Sequence, residues 1–214
     1  MSIIFQDRFD AALRLADELK IYKGKSGIVL AIPRGGVPIG YIIARELDLP
    51  LEIILSKKIG HPQNSEFAIG SVSGSGVVLN ESAENIDPEY IMRETERIRT
   101  NLELKYKLFS GNKKPADLNN KIVIVVDDGA ATGSTIKATV HSIRKSKPKK
   151  IIIAVPVSAP TAAKELRLIA DEFICLHTPA DFFGVGQFYE DFSQVSDEEV
   201  ISLLCKANLV GQAI

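Results

Sequence analysis

The sequence lacks the features of a membrane or secreted protein. No run of apolar residues approaches eighteen, so a membrane-spanning helix is not expected. The opening residues, Met1-Ser-Ile-Ile-Phe-Gln-Asp7, do not have the charged and apolar regions of a signal peptide. The two cysteines, Cys175 and Cys205, lie in apolar segments without metal-ligand spacing, which favours small core residues over a disulfide. These absences predict a cytoplasmic protein that does not bind a membrane.

A strong charge of either sign is also missing. The 26 Lys and Arg residues nearly balance the 27 Asp and Glu residues, which leaves a formal net charge of −1 and no electrostatic case for nucleic-acid binding. The basic run at residues 144–150 is interpreted as a helix end and a solvated turn. No Gly-Lys-Ser/Thr follows a glycine turn, as it would in a P-loop, and no Gly-x-Gly-x-x-Gly follows the first predicted strand.

What the chain does have is an alternation of apolar runs with helical patterns. It predicts an α/β fold: one doubly wound domain over residues 1–214 with a mostly parallel sheet, a core at about 1–176 and a hood or tail at about 177–214. A Ser-Gly-Ser-Gly turn after residue 72 predicts a hairpin, and Ser196 with Glu199 predicts the start of a last helix through Leu203. The first helix is expected to bury Phe9, Ala12, Leu13, Ala16 and Leu19. The predicted strands are 27–32, 51–55, 67–72, 76–79, 122–126, 151–155 and 172–176, and the other helices begin near residues 37, 88, 136 and 160.

The most informative segment is residues 122–135, Ile-Val-Ile-Val-Val-Asp-Asp-Gly-Ala-Ala-Thr-Gly-Ser-Thr. Five residues typical of a buried parallel strand lead into Asp127 and Asp128, and a helical pattern follows, so the polar residues lie where ligands bind in open α/β sheets. Small residues let backbone N–H groups and a helix N-terminus converge on an anion. The carboxylates would repel that anion, but they suit sugar hydroxyls, a hydrated divalent cation, or both. A sugar phosphate is the simplest ligand that satisfies both halves.

A second loop of the same kind follows the first strand. Residues 31–38 read Ala-Ile-Pro-Arg-Gly-Gly-Val-Pro, and they again join an apolar strand to a helix. Gly35 and Gly36 permit backbone conformations and close approach that a side chain would block. Arg34 offers a planar, permanently charged group suited to phosphate oxygens.

The segment at residues 122–135 resembles the phosphoribosyl pyrophosphate signature of the type I phosphoribosyltransferases. The resemblance implies that Asp127 and Asp128 hold the ribose hydroxyls. It also implies that Arg34, Gly35 and Gly36 form the pyrophosphate loop, which often contains a strained or cis non-proline peptide in this family; whether the Arg34–Gly35 bond is one stays open. The residues expected to bind the 5′-phosphate are Ala130, Ala131, Thr132, Gly133, Ser134 and Thr135.

The segment at residues 56–66 has the position of the family's mobile loop, which closes over the substrate. Lys57 or Lys58 is expected to neutralise charge that develops on pyrophosphate, and Lys57 is predicted to be catalytic together with Asp127, Asp128 and Arg34. A solvated basic turn is the competing interpretation. His61 is a weaker candidate for a proton-transfer role, and residues 63–66 are candidates to cover the site.

An aromatic segment follows the last predicted strand. Residues 179–192 place aromatic side chains between glycines and acids, and such rings can stack on a flat heterocycle. The stretch is loosely similar to the base pocket of hypoxanthine-guanine phosphoribosyltransferases. That likeness implies that Phe182 or Phe183 stacks on a nucleobase, with Val185 and Asp191 nearby. A hydrophobic cluster at the sheet edge or a dimer contact are the alternatives.

One departure bears on the acceptor. In the hypoxanthine-guanine members an acidic residue directly precedes Thr-Gly and is the candidate proton acceptor, whereas this chain has Ala131 there. The chain as a whole is similar to stand-alone phosphoribosyltransferase-like proteins of bacteria and archaea. They share the Pro-Arg-Gly-Gly loop, the Asp-Asp-Gly signature and the Val-Gly-Gln-x-Tyr-x-Asp-Phe tail. That likeness does not identify the acceptor.

The resemblance implies transfer of ribose 5-phosphate from phosphoribosyl pyrophosphate to a nucleobase-like nitrogen acceptor, with release of pyrophosphate. Mg²⁺ is the expected cofactor; no direct protein ligand is assigned, and Asp127 and Asp128 would reach the ion only through water. The alternatives are a regulatory protein that binds phosphoribosyl pyrophosphate or a nucleotide without turnover, and a hydrolase that uses the same loops. A homodimer is common in this family, and the helix predicted at residues 88–109 is a candidate contact.

Overall fold

Parallel strands alternate with helices along most of the chain in the computed structural model, which describes residues 3–74 and 76–210 and, of Glu66 and residues 208–210, only the backbone. The strands are β1 (Gly27–Ala31), β2 (Leu51–Ile53), β3 (Ser56–His61), β4 (Asn64–Ser73), β5 (Gly76–Leu79), β6 (Ile122–Val126), β7 (Lys150–Val157) and β8 (Glu172–His177). The helices are α1 (Arg8–Glu18), α2 (Gly36–Leu47), α3 (Pro88–Ser110), α4 (Ser134–Arg144), α5 (Pro160–Ile169) and α6 (Asp197–Val210).

The main sheet is wholly parallel and has the strand order β2-β1-β6-β7-β8. One face packs against α1, α2 and α6, and the other packs against α4 and α5. Every residue of β1 and β6 is buried, because helices cover both faces of these central strands. The predicted α/β, doubly wound architecture is confirmed, and the order of strands brings the carboxyl ends of β1 and β6 side by side.

The predicted hairpin is confirmed, and it belongs to a second, antiparallel sheet of order β3-β4-β5. Ile59, Ile69 and Val72 of this sheet pack against Ile98 of α3. The segment at residues 56–66, predicted as a loop, is therefore largely the β3–β4 ribbon. Buried Ile59 supplies an apolar contact that its polar neighbours conceal in the sequence. Ser75 of the predicted turn and residues 211–214 of the predicted tail lie outside the described residues.

The helices differ from their predictions in two respects. In α1 the buried residues are Ala11, Ala12, Leu15 and Ala16, whereas Phe9 and Leu13 are exposed. The predicted face was therefore wrong by part of a turn, because α1 packs its small alanines closely against α2 and the sheet. The last helix begins as predicted, with the Glu199 amide donating to Ser196 Oγ (3.1 Å), but it continues to Val210 instead of ending at Leu203.

Two further predictions concern side chains at the surface. Cys175 is partly buried and Cys205 is exposed, and both are free thiols, so the expectation of a core position for Cys205 was wrong. The long helix α3 begins at its predicted cap, where Asp87 Oδ1 accepts from the Glu89 amide at 3.0 Å. Its outward face exposes Met92, Leu104 and Leu108, and a dimer contact there stays a prediction.

Within residues 3–74 and 76–210 no helix combines the length and the apolar character needed to cross a membrane.

Candidate functional site

The acidic pair lies at the carboxyl end of β6, in the centre of the sheet. Asp127 and Asp128 directly follow Val126, the last residue of this buried strand. Asp127 Oδ1 accepts a hydrogen bond from the Asp128 amide at 2.9 Å, so the side chain of the first acid fixes the backbone of the second. Both acids are partly buried and lie at the edge of the sheet where ligands bind in this class of fold.

The loop of Arg34, Gly35 and Gly36 follows the neighbouring strand β1 and packs directly on the acidic pair. A methyl group on Gly36 would come within 2.6 Å of the Val126 carbonyl oxygen, and one on Gly35 would come within 1.9 Å of Asp128 Oδ2. Gly35 has φ −62° and ψ −30°, which any residue can adopt. Close approach, and not an unusual backbone conformation, therefore accounts for glycine at this position.

The same loop contains a cis peptide bond, but it is not the Arg34–Gly35 bond, for which the sequence left the question open. The bond is Pro33–Arg34, one residue before Arg34–Gly35. The side chain of Arg34 reaches the start of α6, where Nη1 lies 3.5 Å from Asp197 Oδ1 and both side chains remain about one third exposed or more.

The predicted phosphate loop connects Asp128 to α4 and is bonded to the end of β7. The Ala130 amide donates to the Val157 carbonyl, and the Ala159 amide donates to the Ala130 carbonyl, each at 2.9 Å. Gly133 has φ +67°, a left-handed conformation that glycine adopts without strain, and α4 begins at the next residue. Thr132 and Ser134 share a hydrogen bond of 2.9 Å between their hydroxyl oxygens. This geometry directs the helix N-terminus and two hydroxyls to one edge of the sheet, as an anion site requires.

Arg8, at the start of α1, is a site residue that the sequence analysis did not identify. Its Nε and Nη2 donate to Asp128 Oδ2 at 3.0 and 2.9 Å. Its Nη1 donates to the Ser193 carbonyl at 2.8 Å, and its Cζ lies 4.0 Å from the centroid of the Phe192 ring. On the other side of the acid, the Tyr189 hydroxyl donates to the Asp128 carbonyl at 2.7 Å. No local signal could have revealed these contacts, because the partners are separated by 120 and 61 residues.

The electrostatics of the two acids differ because the Arg8 guanidinium forms its ion pair with Asp128 and not with Asp127. Burial raises the pKa of Asp127 well above its usual range, and the neighbouring charge of Asp128 raises it further. Burial also raises the pKa of Asp128, but the Arg8 guanidinium opposes that shift. Of the two acids, Asp127 is thus the one whose ionised form is less favourable in the folded protein.

The two predicted lysines lie on opposite faces of β3. Side chains alternate along a strand, so Lys58 shares a face with Ser56, and Lys57 shares a face with Ile59. Ser56 Oγ is 2.8 Å from Thr139 Oγ1 of α4, whereas Ile59 packs toward α3. Lys57 is exposed and contributes, after Arg97, to lowering the pKa of Glu94 on α3. Lys58, and not Lys57, therefore lies on the face of β3 that is turned toward α4, the helix that follows the phosphate loop. His61 Nδ1 accepts from the Gln63 amide at 3.1 Å in the β3–β4 turn.

The predicted base-binding residues are only partly gathered together. Val185 lies against the signature, since a methyl group on Gly129 would come within 2.5 Å of its Cγ1. Phe182 is partly buried against Phe188, with ring centroids 5.6 Å apart. Phe183, in contrast, is 81% exposed, and the exposed Asp191 accepts from the Ser193 amide at 2.8 Å.

The donor set suits a hydrated Mg²⁺ better than a metal held by the protein alone. Among the described residues no three His, Cys, Asp or Glu side chains cluster closely enough to hold a metal ion. Asp127 and Asp128 are adjacent carboxylates, and Mg²⁺ is commonly bound by one or two carboxylates with water and substrate phosphates completing its coordination. The residues present therefore fit an ion that arrives with a phosphorylated substrate.

Comparison with known proteins identifies this arrangement. The family model described as the phosphoribosyl transferase domain matches residues 5–192, which include both loops, both acids and Arg8. The chain belongs to the phosphoribosyl transferase domain family. Its fold is accordingly that of the type I phosphoribosyltransferases, as the signature at residues 122–135 led us to expect.

Similarity to individual proteins supports this family assignment. The crystal structure of TT1426 from Thermus thermophilus superimposes with a TM-score of 0.88 at 35% identity, covering 95% of this chain and 98% of that chain. Two strains of Mycobacterium tuberculosis have proteins, provisionally named phosphoribosyl transferases, that are 36% identical over 209 residues. This match covers 96% of this chain but only 47% of the mycobacterial proteins, so the chain spans about half the length of those relatives.

Proposed function

We propose that this phosphoribosyltransferase-family protein transfers ribose 5-phosphate from phosphoribosyl pyrophosphate to a nucleobase-like nitrogen acceptor and releases pyrophosphate. The observation that carries the proposal is the close contact between Gly35 and the Asp128 carboxylate. A methyl group on Gly35 would lie 1.9 Å from Asp128 Oδ2. This contact joins the candidate pyrophosphate loop to the candidate ribose acids. The phosphate loop continues from the same acids, so one edge of the sheet carries complementary groups for all three parts of the donor.

In this mechanism the protein positions the donor and stabilises charge, without a covalent intermediate. The backbone at Ala131–Thr135 and the N-terminus of α4 hold the 5′-phosphate, whereas the amide and carbonyl of Ala130 are already bonded at the end of β7. The carboxylates of Asp127 and Asp128 accept hydrogen bonds from the ribose hydroxyls. Arg34 and a lysine of β3 neutralise the negative charge that develops on the departing pyrophosphate. Fixed positive groups at that place stabilise the transition state more than the ground state. Bound Mg²⁺ would neutralise pyrophosphate oxygens and help to orient the ribose.

The acceptor is proposed to bind beside Val185, at the edge of the contact between the C-terminal segment and the signature. Phe182, Phe183 and Asp191 stay candidates for stacking on the base and for reading its edge. Ala131 cannot accept a proton, so an acceptor that needs deprotonation would rely on another group. This absence of an acid in the loop is the observation that favours the second candidate function, a protein that binds phosphoribosyl pyrophosphate without turnover.

The deciding experiment incubates the protein with Mg²⁺, phosphoribosyl pyrophosphate and a panel of nucleobases while pyrophosphate release is followed. Release that depends on one base supports the transferase and names its acceptor. Donor binding in calorimetry without release supports the binding protein, and release without any base indicates a hydrolase. Asp127→Asn with Asp128→Asn is expected to abolish donor binding, whereas Asp17→Asn, an exposed acid paired with Lys20 on α1, serves as the control. Unchanged donor affinity in the double variant would rule out the ribose assignment.

A further inference from the structure

We propose that Arg8 is the positioning residue of the donor site: it holds Asp128 Oδ2 so that Oδ1 is left to accept the ribose hydroxyl. The inference rests on the proposed function and extends it to a residue far from the signature in sequence. Two donors of one guanidinium, Nε and Nη2, converge on Oδ2 at 3.0 and 2.9 Å. Because both bonds go to the same oxygen, Arg8 orients the carboxylate without occupying its second oxygen.

Contacts with the C-terminal segment hold the Arg8 side chain in place. Its third nitrogen, Nη1, donates to the Ser193 carbonyl, and its Cζ lies over the Phe192 ring. Its side chain is only 11% exposed, and that of Asp128 is 16% exposed. A guanidinium whose three nitrogens all donate hydrogen bonds and whose Cζ lies over a ring presents one geometry, which an exposed, freely rotating cation cannot do.

The position of Arg8 in α1 also points to a role beyond helix stability. It is the first residue of the helix, where the aligned peptide dipoles disfavour a positive charge. The helix is already capped by Asp7, whose Oδ1 accepts from the Asp10 amide at 2.8 Å. A cation at this position is therefore unfavourable for the helix alone, and Asp128 is the group that compensates for it.

The N- and C-terminal segments are joined by other bonds as well. The Glu190 amide donates to the Phe5 carbonyl at 2.9 Å, and the Asp191 amide donates to the Gln6 carbonyl at 2.8 Å. These backbone bonds do not involve Arg8, so its removal is expected to leave the two segments in contact. The effect of losing Arg8 should consequently be found at Asp128.

Calorimetric binding of two ligands, phosphoribosyl pyrophosphate and inorganic pyrophosphate, tests the inference in the presence of Mg²⁺. Arg8→Ala is expected to weaken binding of the ribose-containing donor about tenfold or more, as loss of hydrogen bonds to a charged group does, while pyrophosphate binding changes by less than about twofold. Arg8→Lys retains the charge with fewer fixed donors and is expected to lie between Arg8→Ala and the native protein. Arg14→Ala is the matched control, because Arg14 lies on the same helix, pairs with Asp10 and lies over Phe5, away from Asp128.

A double-mutant cycle separates positioning from general stability. If Arg8 acts through Asp128, Arg8→Ala should have little further effect on donor affinity once Asp128→Asn is present. Equal weakening of both ligands, or a donor affinity that is the same in Arg8→Ala and Arg14→Ala, would overturn the positioning role while leaving the proposed function intact. Failure of the native protein to bind the donor at all would overturn both. Should Arg8→Ala not fold, Arg8→Lys and Arg8→Gln give the same comparison.

Discussion

Gly129 of the signature and Val185 of the C-terminal segment are in direct contact. A methyl group on Gly129 would lie 2.5 Å from Val185 Cγ1, 2.7 Å from Val185 Cγ2 and 3.1 Å from a methyl group of Val157. The glycine that follows the acidic pair therefore has its place because the C-terminal segment closes over it. The residues proposed to bind the donor and the residue proposed to border the acceptor meet at this point.

This contact predicts that Gly129→Ala displaces Val185. The variant should lower the rate of acceptor-dependent pyrophosphate release more than it lowers donor affinity. Overpacking of this kind costs about 1–3 kcal/mol in the free energy of unfolding. Adding Val185→Ala restores the space, so the double variant should recover much of the lost stability, as chemical denaturation would show. If Val185→Ala instead adds its own loss to that of Gly129→Ala, the two residues are not the cause of the effect.

The Gly35–Asp128 contact gives a second prediction. Gly35→Ala is expected to push the Asp128 carboxylate away from its two bonds to Arg8 and to lower donor affinity by about tenfold or more. The backbone of Gly35 is ordinary, so the new methyl group, and not strain, would be responsible. Gly74→Ala is the control, because a methyl group there would have no atom of the described residues within 4 Å apart from its chain neighbours. Native donor affinity in Gly35→Ala would show that Asp128 does not contact the ribose in this position.

The raised pKa of Asp127 predicts a pH-dependent cost to stability. A carboxyl whose pKa is higher in the folded than in the unfolded chain lowers the free energy of unfolding as pH rises from about 3.9, its ordinary value, through the folded pKa. Asp127→Asn removes this cost and keeps the Oδ1 acceptor for the Asp128 amide. The variant should therefore melt a few degrees higher than the native protein at neutral pH, since about 1 kcal/mol corresponds to about 2–4 °C for a domain of this size.

Melting curves of Asp127→Asn and the native protein between about pH 4 and pH 8, without Mg²⁺ or donor, measure this difference. The gap should widen with rising pH and shrink toward the acidic end. Asp17→Asn, also one negative charge fewer but on an exposed site, corrects for the general effect of charge. A gap that narrows as pH rises would contradict the direction of the shift.

The two faces of β3 predict different roles for its lysines. Lys58 shares the face of Ser56, which contacts α4, and Lys57 shares the face that packs toward α3. Lys58→Ala is therefore expected to weaken binding of the pyrophosphate-containing donor about fivefold or more, and Lys57→Ala to weaken it less. Each variant removes one lysine from the same strand, so each serves as the other's control in calorimetry. A larger loss for Lys57→Ala would favour the role that the family resemblance gave to that residue.

The sequence allowed the central part of the site to be predicted because its signals are local. A buried five-residue strand, two acids and a small-residue turn occur within fourteen positions of the printed sequence, residues 122–135. Arg8 was not predicted because its partner, Asp128, is 120 residues away in the sequence. The strand at Ser56–His61 was missed since its one buried apolar side chain, Ile59, stands between lysines and glycine. The exposed position of Phe9 depends on how closely α1 packs, which its helical spacing does not specify.

Glu52 is a further residue whose importance depends on contacts distant in sequence. It lies within β2 with 8% exposure, where Oε2 accepts from the Ala116 amide at 2.9 Å and Oε1 lies 3.3 Å from Lys113 Nζ. Glu52→Ala would leave that amide without its acceptor, so it should cost about 1–3 kcal/mol in chemical denaturation. Glu52→Gln retains an acceptor and should cost less, and Glu46→Ala, an exposed acid paired with Arg45, should stay within about 0.5 kcal/mol of the native protein. Because Glu52 supports the connection that leads into β6, and not the acids beyond it, donor affinity in the folded variants should be native. Equal stability of Glu52→Ala and Glu46→Ala would show that this connection does not need the carboxylate.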